Sequence, residues 1–134
     1  MSPSSPMTLS PGVLHEECAC LWKQLTERLQ TVPPWEWPEK ITPWLMRLAG
    51  STVKGDAPDP HEIVKYTALL ALLNAIGRLH RARTGCYCDA FRSVRDELFR
   101  MIRQGISPQE VPELLDTVDL EGRSLEDTFQ AGAA

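Results

Sequence analysis

Residues 63–82 are apolar on nearly every face of a helix rather than along one stripe, and from Thr67 to Ile76 the only polar side chains are Thr67 and Asn74. A helix of that kind must be covered on all sides, by other helices of the chain or by a second copy of it. Lys65 and Arg78 bracket a run too short to span a bilayer. The pattern predicts a buried central helix over about 60–84.

The flanking segments show ordinary one-faced patterns. Leu14, Cys18, Leu21, Trp22, Leu25, Leu29 and Val32 recur at spacings of three and four, which predicts a helix that starts at the Ser10-Pro11 cap and ends before Pro33-Pro34. Pro33-Pro34-Trp35-Glu36-Trp37-Pro38 reads as a stiff connector, because each proline lacks an N–H and biases the residue before it toward extended geometry. Thr42-Pro43 restarts a short helix that Gly50 can end. Asp59, Pro60 and Glu62 form a capping box at the start of the central helix, and Gly85 stops it. Tyr87, Phe91, Val94, Leu98 and Met101 or Ile102 define a fourth helix, closed by Gly105. Ser107 and Glu110 repeat the capping pattern before a short fifth helix through Val118, with one weak further turn between Leu120 and Phe129. No segment alternates as a strand does, and no solenoid repeat is present. The expectation is an all-α, single-domain bundle of four to five helices, with a disordered segment over 1–9, a helical domain over 10–130 and a flexible tail over 131–134.

A chain of 134 residues is long enough for one core. The net charge of −4 argues against a generally basic nucleic-acid coat, yet it hides a polarity along the chain. Between Arg78 and Arg103 seven arginines face three carboxylates, whereas between Glu110 and Asp127 seven carboxylates face Arg123 alone. The simplest consequence is an acidic C-terminal part folded back onto the basic helix. The first ten residues hold no basic residue and no apolar run of secretory type, so a cytoplasmic protein with reduced thiols is expected, and no membrane partner.

Few residues spell chemistry. Gly50 and Gly55 have the spacing of a phosphate loop, but Asp56 and Ala57 stand where Lys and Ser or Thr are needed. His61-Glu62 begins like a zinc-protease helix, with Lys65 where the second histidine belongs. Cys18 and Cys20 point about 200° apart on a helix and cannot face one ion. Cys86 and Cys88, at a helix start, are the better thiol or zinc candidates. A helix-turn-helix reading of Leu98 to Leu114 fails because the would-be recognition helix carries Glu110, Glu113, Asp116 and Asp119 and no basic residue. No catalytic, cofactor or metal residue is assigned.

Two features suggest binding surfaces. Trp35, Trp37 and Trp44 lie within ten residues, interleaved with prolines. Tryptophan is enriched at interface hot spots, and a stiffened segment loses little entropy on binding, although one or two of the three rings are expected to lid the core. Arg78, Arg81, Arg83, Arg92 and Arg95 could contact phosphates or an acidic partner, or form a solvated face paired with acids. The preferred reading is a small non-enzymatic module that binds a protein partner, with self-association through the central helix if its neighbours leave it uncovered. A nucleic-acid-associating subunit is the alternative, and a thiol or zinc protein the third.

Overall fold

The computed structural model describes residues 11–50, 58–85 and 89–133. The readings made for residues 1–9, for the Ser51 to Ala57 loop and for Cys86 and Cys88 lie outside them.

Five α-helices and two single 3-10 turns make up the described residues, with no strand among them. Helix α1 spans Pro11–Thr31, a 3-10 turn Pro34–Glu36 follows, and α2 runs Trp37–Ala49. Helices α3 (Pro60–Thr84) and α4 (Asp89–Arg103) come next. A second 3-10 turn, Pro108–Glu110, leads into α5 (Val111–Ala133). The all-α bundle around a central helix is therefore observed.

Helix α3 begins where its capping box requires. Asp59 accepts a hydrogen bond from the Glu62 N–H at 2.9 Å, and the Glu62 carboxylate accepts from the Asp59 N–H at 3.1 Å. It ends on Gly85, whose φ of 80° lies in the left-handed region open to glycine at no steric cost. From Ile63 to His80 nearly every residue is buried, and α1, α2, α4 and α5 all pack against it. Its apolar faces are consumed within the chain, so the condition set for self-association through this helix is not met. No helix among the described residues is long and apolar enough to cross a membrane.

Residue contacts set the helix directions. His15 meets Glu121 and Trp22 meets Phe129, while Gly122 lies against Ala71 and Glu126 meets Arg78, so α1, α3 and α5 run parallel. His80 meets Phe91 while Gly105 lies against Ile63, so α4 runs antiparallel to α3. With Trp37 of α2 beside His80, the C-terminal ends of α1, α3 and α5 share one end of the bundle with the first turns of α2 and α4.

Two helices depart from the expected boundaries. Helix α2 starts at Trp37 rather than Thr42, since Pro38 takes an early position where no N–H bond is needed and Pro43 sits inside the helix on an exposed face. Helix α5 is one continuous helix to Ala133 rather than a short helix with a weak turn. Its stripe is Leu114, Val118, Gly122, Leu125 and Phe129, and Gly122 occupies a core position without a side chain. A Cβ there would stand 3.1 Å from the Ala71 carbonyl oxygen and 2.9 Å from Arg78 Nη2. The glycine lets the α5 backbone come close to both the α3 backbone and the Arg78 side chain.

Gly122→Ala is therefore expected to destabilise the fold, although the same change in an exposed helix gains about 1 kcal/mol. Overpacking costs about 1–3 kcal/mol, so the urea midpoint should fall.

Candidate functional site

A groove lies at the end of the bundle where α1, α3 and α5 finish. It has a volume of about 910 Å³ and is lined by Trp22, Thr26, Leu29, Gln30, Thr31, Val32, Pro33 and Pro34, with Arg83, Thr128 and Phe129 opposite. These residues come from three segments far apart in sequence. Parallel helices bring them together, because only then do three C-terminal turns meet.

The floor is aromatic. Trp22 and Phe129 pack edge to face with centroids 5.6 Å apart, an arrangement favoured by the ring quadrupoles. The guanidinium of Arg83 lies 5.6 Å from the Phe129 centroid and 5.8 Å from that of Trp37, within cation–π range. Behind Trp37, the His80 ring packs on Phe91 at 5.3 Å. His80 is buried and its Nδ1 has no hydrogen-bond partner among the described residues.

The turn beside the groove is held by its own hydrogen bonds. Glu36 N–H donates to the Pro33 carbonyl at 2.9 Å, and the Trp37 indole N–H donates to the Val32 carbonyl at 2.8 Å. Trp35 stands between these two ties and is 71% exposed, whereas Trp37 is 1% exposed.

The structure thus divides the tryptophans assigned to a partner surface. Trp37 is a core residue whose one polar atom is satisfied internally. Trp44 is also buried, and Arg28 covers it at 4.4 Å from the ring centroid, joining α1 to α2. Placing Trp37 and Trp44 on a contact surface is corrected, since their rings close the core; Trp35 alone of the three faces outward.

The five arginines are divided as well. Arg78 is drawn into the bundle, with Nε 2.6 Å from Glu126 and Nη1 3.8 Å from Asp119. The acidic C-terminal part therefore folds chiefly along α3 and α1, and not onto the basic helix as the charge pattern suggested. His15 of α1 meets Glu121 at 3.1 Å on the same seam. Arg92 and Arg95 lie 3.6 Å from Asp89 and Asp96 of their own helix, and Arg100 pairs with Glu97. Arg81 is exposed in the last turn of α3, and Arg83 belongs to the groove. Basic residues in the last turns of α1 and α3 also suit the partial negative charge of those helix ends.

Cys18 faces the core and Cys20 faces solvent, as their spacing on a helix demands. Burial, reinforced by Glu121 and Glu17, pushes the Cys18 thiol up from 9.0 to about 12. No group of three or more metal-ligating side chains occurs among the described residues.

The class defined by this architecture is an up-down-up-down-up five-helix bundle with a groove at one end. Compared with protein families, with curated proteins and with solved structures, the chain matches none. The groove's composition was not legible in the sequence. Its one advance signal was the proline-rich turn that forms one wall.

Two stability measurements check this description. The folded chain keeps the Cys18 proton where the unfolded chain loses it, so the contribution is complete below about pH 9 and lost as pH rises toward 12. Cys18→Ala should show a shallower fall of urea midpoint across that window than the parent chain. His80→Phe removes an unpaired buried nitrogen while keeping a ring against Trp37 and Phe91, so stability should stay within about 1 kcal/mol of the parent or rise. Thermal unfolding reads it.

Proposed function

We propose that the chain is a cytoplasmic, non-enzymatic helical module that works by binding a protein partner, with Trp35 as the anchor of the contact. The observation that carries this reading is an indole 71% exposed on a turn whose geometry is already set. Leaving a large apolar side chain in water forgoes about 1.5–3 kcal/mol of burial, which a partner would recover. The ordering cost of such a turn is already met within the fold, and tryptophan is the residue most suited to such an anchor.

The nucleic-acid alternative draws less support. It needs several cations presented together, and of its five arginines Arg78 is engaged with α5 while Arg92 and Arg95 lie beside acids of their own helix.

Affinity purification of the tagged chain from its native cell, after nuclease treatment, tests the proposal. A stoichiometric protein should be retained by the parent and by an Arg92→Gln/Arg95→Gln variant. Trp35→Ala should weaken its binding by more than about tenfold, the scale of a hot-spot loss, while stability changes by less than about 0.5 kcal/mol. Nucleic acid recovered from an untreated sample in place of protein, and lost with the arginine variant, would favour the alternative.

A further inference from the structure

We propose that the groove beside Trp35 receives an extended acidic segment of the protein partner, with one carboxylate on Arg83 and an adjacent large apolar side chain against Trp22 and Phe129. The inference rests on the protein-partner reading and names the chemistry of what is bound.

Arg83 carries the charge argument. It is the one charged side chain among the described residues that line the groove. It has no carboxylate within ion-pair distance among the described residues, in contrast to Arg78, Arg92, Arg95, Arg100 and Arg123. Its guanidinium lies over the Trp37 and Phe129 rings, which restrains it without occupying its hydrogen-bonding edge. A planar fork of donors held in this way is matched by a carboxylate, which it can grip bidentately.

The walls carry the peptide argument. Thr26 donates its hydroxyl proton to the Trp22 carbonyl at 2.7 Å, and Thr128 donates to the Ser124 carbonyl at 2.9 Å. With those protons committed to their own helices, both oxygens are left to the groove as acceptors. Acceptors call for N–H donors, which a peptide backbone supplies and the hydrocarbon of a fatty acid does not. A nucleic-acid backbone would ask for several cations where the groove has one. A groove of about 910 Å³ has room for several side chains of a ligand rather than for a single ion.

The test is selection of a phage-displayed random peptide library on the whole chain, followed by the affinity of the consensus peptide in solution, read from tryptophan fluorescence. The expected consensus has Asp or Glu next to a large apolar residue. Arg83→Gln should weaken it about tenfold or more, as loss of a charge-assisted bidentate contact does. Arg83→Lys, which keeps the charge and loses the fork, should give an intermediate loss. Rising salt should weaken the parent complex, and Arg92→Gln should leave it unchanged. Thermal melts of each variant separate lost binding from lost folding. A consensus without an acidic residue, or affinity indifferent to both Arg83 variants, overturns the groove assignment. If that same peptide still depends on Trp35, the protein-partner reading survives. A library that yields no binder, or binders indifferent to both Arg83 and Trp35, overturns both.

Discussion

The burial of α3 on every side is the constraint from which the rest of this structure follows. A helix whose Leu69, Leu70, Leu72, Leu73 and Ile76 point in different directions cannot lie at a surface, because any face left open would expose several large apolar side chains at once. Four other helices are the cover that this chain supplies, and each has the one-striped pattern of a helix with a wet side. Their short connections make neighbours antiparallel, which places the C-terminal ends of α1, α3 and α5 together. The groove lies at that convergence, lined by residues of α1, α3 and α5 and by the turn after α1.

Polar interactions adjust this arrangement more than they create it. Arg78 projects from the central, most extensively buried helix and is accepted because Gly122 leaves space for its guanidinium while Glu126 and Asp119 compensate its charge. A third of the Arg78 side chain remains exposed, so water shares in compensating its charge. The exposed pairs along α4, such as Arg92 with Asp89, contribute little. Around the groove the logic differs. Arg83 is held by ring faces instead of by a carboxylate, and Trp35 is left in water by a turn that satisfies its own backbone. The first is a favourable contact that leaves the guanidinium edge open, and the second forgoes the burial of a large apolar side chain.

Legibility varied with how local the cause was. The start of α3 was readable because Asp59, Pro60 and Glu62 satisfy backbone donors within one turn, and its end because Gly85 needs a positive φ. The length of α5 was not, because the apolar stripe passes through Gly122, whose qualification for the core is the absence of a side chain. The start of α2 was hidden by Pro38 and Pro43, which argue against helix in general but are harmless at an early position and on an exposed face. Among the tryptophans, spacing alone could not tell Trp35 from Trp37. The difference is the indole bond to the Val32 carbonyl, which ties one ring inward and turns its neighbour out.

The sequence by itself determined an all-helical chain with a fully covered central helix, since periodicity, caps and the sum of apolar faces are properties of consecutive residues. Which cations would be consumed and which left free, and which rings would form a floor, was decided by the tertiary structure. Arg78 and Arg83 are one and a half turns apart on the same helix and carry the same group. One meets Glu126 and the other meets Phe129, residues 48 and 46 positions further along the chain. Pairings over that separation depend on the parallel packing of α5 on α3, and no local pattern encodes it.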